Sequence, residues 1–163
     1  MENKKYTFFW KSDSPFSNFY KCQFIIENML FFSSEQYFMY KKSMAFMDAE
    51  TAELILKTKL PWEAKKLGRQ VKNFKKEEWD GMCEKIMYDA VYHKFSQNKE
   101  LTKKLLDTGE TFFAEASPVD FIYGIGLDEE TAKKTSESEW PGKNLLGKIL
   151  TELRKNLRQQ IKI

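Results

Sequence analysis

Hydrophobic positions change their spacing several times along the chain, and each change marks an element. "YTFFW" and "FYKCQFIIEN" are short aromatic and branched runs suited to strands, separated by the Ser/Asp/Pro cluster of "KSDSPFSN". Residues 6–32 are therefore expected to form a small antiparallel element. In "FFSSEQYFMYKKSMAF" the spacing becomes helical, and Ser33 or Ser34 ahead of Glu35 and Gln36 reads as a capped start. Asp48 can cap a helix through "AETAELILKT", and Pro61 opens another at "PWEAKKLGR", with Gly68 as its stop or a close-packing point. The stretch "KKEEWDGMCEKIMYDAVYHKFSQN" predicts one long helix, with Trp79, Met82, Ile86, Met87, Ala90, Val91 and Phe95 near one face and Gly81 a mild cost inside it.

A short amphipathic helix "KELTKKLLDTG" ends at Gly109, and "TFFAEAS" reads as a strand stopped by Pro118. After a polar loop from Asp128 to Ser138, "NLLGKILTELRKNLRQ" predicts a last helix with Leu145, Leu146, Ile149, Leu150, Leu153 and Leu157 facing inward. Without a repeat, a long linker or a second boundary, residues 1–163 read as a single compact multihelical domain. The expected class is α+β, predominantly α, with a small N-terminal antiparallel β element.

Composition narrows the classes. A chain of 163 residues can bury roughly 70% of its unfolded surface, and 14 Phe, 7 Tyr and 4 Trp must fill a core or line a pocket, which excludes whole-chain disorder. Lys and Arg total 27 against 24 Asp and Glu, and a net +3 is too slight to imply nucleic acid or membrane binding by itself. Cys22 and Cys83 stand alone, so a reducing compartment is expected rather than a disulfide framework. "MENKKYTFFWKSDSP" lacks the apolar core of a secretory signal, and no apolar run approaches the roughly 20 residues of a bilayer helix. A cytoplasmic location with no membrane partner is the expectation.

Four constellations carry candidate chemistry. In "EASPVDFIYGIG", Gly124 and Gly126 allow positive φ or close approach to a ligand, and Glu115 and Asp120 suit a ribose or an amine, although Asp120 can equally be a turn cap. Glu35 and Lys42 lie seven residues apart, close to two helical turns, so both project from one face with Tyr37 or Phe38 beside them; a solvated surface face is the plain alternative. Lys65, Lys66 and Arg69 of "AKKLGR" suit a phosphate or are merely solvated. In "EWPGKNLLG", Trp140 can stack on a base or anchor the core, and Asn144 is positioned to cap the last helix. His93 has no metal-spaced partner, G-x-S-x-G is absent, and neither a metal nor an organic cofactor is expected.

In their order, "SPFSNFY", "SSEQYFMYKK", "PWEAKKLGR", "EASPVDFIYGIGL" and "WPGKNLLGKIL" resemble the NADAR family, the YbiA-like proteins, over nearly the whole chain. The resemblance implies N-glycosidase chemistry, on ribosylamino intermediates of riboflavin biosynthesis or on ADP-ribosylated guanine in DNA. Carried over by position, it implies catalytic roles for Glu35, Lys42, Glu115 and Asp120. It implies binding roles for Arg69, Tyr123, Trp140 and Asn144; Asn18, Tyr37, Lys65, Gly124 and Gly126, in or beside the same motifs, complete the expected substrate-binding set. Many relatives have His where this chain has Gln36, and Trp where it has Tyr123. The implied partner is a nucleotide or ribosylated base, with ADP-ribosylated DNA as a second possibility.

Breaking a bond from ribose C1 to nitrogen builds positive charge on the sugar, which a carboxylate can stabilise while an acid assists the departing nitrogen. Alternatively, a lysine of lowered pKa can attack C1 as a Schiff-base nucleophile. The expected arrangement pairs Glu35 with Lys42 and gives Asp120 the ribose hydroxyls, Arg69 the phosphate and Trp140 or Tyr123 the base. It requires acidic groups distant in sequence to converge on one pentose carbon. A module that binds ADP-ribose without cleaving it, or a structural interaction domain, would use many of the same residues.

Overall fold

The computed structural model describes residues 5–162. By its internal contacts the chain divides into two compact units, one running to Ser17 and resuming at Thr102, the other spanning Asn18–Leu101. The class is α+β and predominantly helical.

The Asn18–Leu101 unit begins with a hairpin, β2 (Phe24–Ile26) against β3 (Met29–Phe31), antiparallel in the register Phe24 to Phe31. Its two-residue turn, Glu27 and Asn28, has φ of 52° and 65°, the backbone that matches the twist of a tight hairpin. Phe24, Ile26 and Phe31 bury one face with Tyr37 and Ala90. Helix α1 (Ser34–Ala45) packs against α2 (Ala49–Lys57), α3 (Pro61–Gly68) and α5 (Cys83–Ser96). The caps are those the sequence predicts: Ser33 accepts from the Gln36 N–H, and Asp48 from the Thr51 N–H.

The predicted long helix is broken. A short α4 (Lys76–Asp80) ends at Gly81, and α5 restarts after Met82. Glycine costs a helix interior about 1 kcal/mol. Here the break lets Trp79 turn to Phe38, with ring centroids 5.0 Å apart, while α5 buries its own face through Met87, Ala90, Val91 and Phe95.

In the other unit, β1 (Tyr6–Phe9) pairs in parallel with β4 (Phe112–Glu115), in the register Tyr6 to Phe112 through Phe9 to Glu115. Residues 6–32 are thus not one antiparallel element: alternation identifies a strand but not its partner, and β1 finds its partner about a hundred residues on. Most of α6 (Lys99–Asp107) belongs to this unit, and Gly109 follows it at φ 71°. The stretch expected as polar loop folds into α7 (Glu129–Lys133), because Asp128 accepts from the Thr131 N–H and caps it. Helix α8 (Leu145–Ile161) buries Leu146, Ile149, Leu150, Leu153 and Leu157 as predicted, whereas Leu145 is only half-buried.

Asn144 does not cap α8 with its side chain. It sits in the left-handed region, and its amide bridges the open edge of β4: Nδ2 donates to the Phe113 carbonyl at 2.9 Å and Oδ1 accepts from the Glu115 N–H at 3.1 Å. Gly147 allows α8 this close, since a Cβ there would lie 2.2 Å from the Phe113 oxygen.

Candidate active site

The start of α1 carries the main cluster. Asn18 accepts a hydrogen bond from Ser34 Oγ at 2.8 Å through Oδ1, and its backbone oxygen accepts from the Glu35 N–H at 3.1 Å. Gln36 Oε1 accepts from the Phe32 N–H, and its Nε2 donates to the carbonyls of Ile55 and Thr58 at 3.0 and 2.7 Å. Both donors of this buried amide tie α1 to the end of α2, and its oxygen holds the residue after β3. Glu35 is thereby fixed in the first turn, 7% exposed, where the positive end of the helix dipole favours its carboxylate.

Seven residues on, Lys42 returns to the same side of α1 and is half-buried. Its Nζ lies 4.4 Å from the centre of the Phe74 ring, which packs edge-on against buried Phe46 at 5.2 Å. Burial lowers the Lys42 pKa, the Glu35 charge raises it, and the Arg69 guanidinium lowers it again. Arg69 reaches this neighbourhood because α3 lies close on α1: a Cβ at Gly68 would fall 2.0 Å from Met39 Sδ. Gly68 is therefore both the end of α3 and its closest contact. Lys65, one turn earlier, has its Nζ 5.3 Å from the Phe19 ring.

Tyr37 is not beside this pair. Two residues from Glu35 it points about 200° away around the helix, into the hairpin core, edge-on to Phe31 at 5.1 Å, and burial pushes its hydroxyl up to about 12. Sequence reasoning missed Phe74, which lies in a polar stretch without periodicity, and Lys94. Lys94 is 0% exposed on α5, and burial brings it down to about 8. Nothing in helical spacing distinguishes it from the exposed lysines.

The second set of candidates lies in the other unit. Asp120 Oδ1 accepts from the Ile122 and Tyr123 N–H groups at 3.0 and 2.8 Å, so the turn-cap reading holds for that oxygen; Oδ2 makes no hydrogen bond among the described residues. The Glu115 carbonyl accepts from the Ile125 N–H at 2.9 Å, and one oxygen of its carboxylate is fully buried. Gly124 serves close backbone approach: a Cβ there would sit 2.8 Å from the Asp120 carbonyl. Gly126, at φ 75°, faces the Phe121 ring and Pro141.

The first N–H groups of α8 are occupied by this loop, with Leu145 donating to the Ile122 carbonyl and Leu146 to that of Tyr123. Two of the amides that helix start would offer an anion are therefore taken. Trp140 is half-buried as a core anchor, 5.0 Å from Tyr6 and 6.1 Å from Phe8, with Nε1 donating to the Thr135 carbonyl. Among the described residues no three His, Cys, Asp or Glu side chains are grouped as a metal ion needs.

Comparison with known proteins gives consistent matches. The NADAR domain family matches residues 8–158. The chain is 38% identical to "N-glycosidase R617" of Acanthamoeba polyphaga mimivirus, covering 98% of this chain and all of that protein. It is 37% identical to "Protein irg-1" of Caenorhabditis elegans, over 98% of this chain and 84% of that one. "N-glycosidase YbiA" of Escherichia coli is 30% identical over 96% of this chain and 91% of its own. The NMR structure of the E. coli protein YbiA superposes with a TM-score of 0.81, at 27% identity, over 99% of this chain and 90% of that one.

Proposed function

The chain belongs to the NADAR family, and from that premise we propose that it is an N-glycosidase that cleaves the bond between ribose and an amine or nucleobase of a small ribosylated molecule. The carrying observation is Lys42: an amine whose pKa burial lowers, on the same helix side as buried Glu35, with the Arg69 charge acting on it. A depressed pKa gives the amine a larger unprotonated fraction near neutrality, which is what a nucleophile needs.

In this reading ribose on an exocyclic amine opens to its imine form, and Lys42 Nζ adds to C1. The C1–N bond to the base then breaks, with Glu35 delivering the proton to the departing nitrogen. Water hydrolyses the C1–Lys42 imine and frees the sugar and the amine. Arg69 and Lys65, of the same unit as Glu35 and Lys42, hold the phosphate. The packing of Trp140 supports a structural rather than a stacking role for it.

The relatives' names support a small substrate, and ADP-ribosylated DNA draws no support from them. We take residues 1–163 as one domain, since the family match spans both units. A cytoplasmic location fits the free thiols of Cys22 and Cys83, and no helix among the described residues is long and apolar enough to cross a membrane.

The test combines Lys42→Ala with borohydride trapping on ribosylamino-pyrimidine phosphates and ADP-ribosyl-guanosine, read by mass spectrometry. A reduced covalent adduct on the native chain, and loss of at least about a hundredfold in rate for the variant, are expected. Full activity in the variant rules out the lysine adduct. No release of free base from any ribosylated substrate leaves the binding-module reading in its place.

A further inference from the structure

A cavity of about 340 Å³ lies in the Thr102–Ile163 part of the chain, lined in part by Glu110, Phe112, Arg154, Lys155, Arg158 and Lys162. It contains none of the residues given a role above. Four cations face one carboxylate there, and their partners differ in kind. Arg158 is matched: its NH1 meets Glu110, and its NH2 donates to the carbonyls of Leu106 and Gly109 at 3.1 and 2.6 Å, the negative end of α6.

Arg154 is different. It is 3% exposed, and its donors meet neutral oxygens: NH1 the Thr108 hydroxyl at 2.8 Å and the Thr111 hydroxyl at 3.4 Å, NH2 the Thr111 carbonyl. The Phe113 ring lies 5.0 Å from its guanidinium carbon. Among the described residues no carboxylate is within ion-pair distance of it. A guanidinium cannot shed its proton to escape burial, so it stays charged, and the only carboxylate charge acting on it among those residues comes at longer range from Glu110, which Arg158 already holds in an ion pair. Burial and the neighbouring Arg158 charge act against its protonated form and outweigh the favourable Glu110 charge. At the rim, Lys155 and Lys162 are exposed and make no ion pair among the described residues, and Phe112 turns a 42% exposed ring toward solvent.

We propose that this cavity is a second ligand site, which takes the phosphate group of a small organic phosphate between Arg154 and the lysines Lys155 and Lys162, with Phe112 against its ring. An anion there supplies the direct ion pair that Arg154 lacks among the described residues, and the volume falls within the range of small-molecule pockets. Lysine and arginine hold phosphate as a point charge and a planar fork respectively.

The experiment titrates the full chain, labelled with 15N, with AMP, inorganic phosphate, adenosine and a single-stranded oligonucleotide lacking terminal phosphates, and reads the amides of Phe112 and the end of α8. AMP and phosphate are expected to move those amides in the millimolar range or below, and adenosine is not. The double variant Lys155→Gln, Lys162→Gln, which leaves Arg154 in place, should bind AMP about tenfold more weakly, each exposed pair contributing roughly two- to fivefold, with an unchanged unfolding midpoint. Still amides, an affinity unaltered in the double variant, or tighter binding of the oligonucleotide than of AMP each overturns the proposal. Because the readout is local to α8, failure here leaves the Lys42 reading untouched.

Discussion

Asn144→Ala is a sharp test of how the Thr102–Ile163 part is held, because it removes hydrogen bonds that no backbone replaces. The groups of β4 facing β1 are taken, with the Phe112 N–H donating to the Lys5 carbonyl and the Ala116 N–H to that of Phe9. Among the described residues the opposite edge has no third strand. Thr151 Oγ1 accepts from the Phe113 N–H at 3.1 Å, and the Asn144 amide serves the Phe113 carbonyl and the Glu115 N–H. Two hydrogen bonds at about 1 kcal/mol each are lost, and groups of a buried strand are left unsatisfied. Alanine at φ 53° adds about 1 kcal/mol of left-handed strain. The sum is about 3 kcal/mol, or a Tm fall of roughly 6–12 °C for a chain of this length. Asn144→Gly relieves the strain but not the hydrogen bonds, so it should recover no more than about 1 kcal/mol before its own chain-entropy cost. Urea and thermal unfolding followed by circular dichroism, with KM measured well below the transition, is the assay. If Asn144→Ala unfolds within about 0.5 kcal/mol of the native chain and instead raises KM, the amide works on the substrate and the reasoning is refuted.

Two further outcomes are expected. Arg69→Ala removes a charge that lowers the Lys42 pKa, so the rising limb of the rate–pH profile should move to higher pH, whereas Glu35→Gln should lower the Lys42 pKa; an unmoved limb in Arg69→Ala separates Lys42 from the rate-limiting proton. Lys94, held down to about 8 by burial, is disfavoured in its charged form, and this destabilisation is fully present below pH 8 and relieved as pH rises toward the unfolded value of roughly 10.4. Stability should therefore climb across that window in urea titrations, and Lys94→Met should flatten the climb; an equal slope in the variant refutes the assignment.

Helix starts were legible residue by residue. Ser33, Asp48 and Pro61 act within three or four positions of themselves, so local chemistry determines them, and the same holds for the inward leucines of α8. The family was legible too, because its motifs are runs of adjacent residues. The break at Gly81 was not, since helical spacing continues through it and the packing of Trp79 on Phe38 lies outside any window.

The sequence alone determined most of the helices, though not α7 or the break before α5, which segments carry carboxylates and amines, and that Glu35 and Lys42 share a side of one helix. Tertiary structure decided which of those groups are chemically altered. It paired β1 with a strand about a hundred residues away, turned Asn144 from a cap into a strand edge, brought Arg69 to Lys42 through the gap left by Gly68, and buried Lys94 and Arg154. The physical reason is range. Capping and periodicity are set by neighbours within a turn, whereas desolvation and Coulomb interactions depend on what packs from elsewhere in the chain.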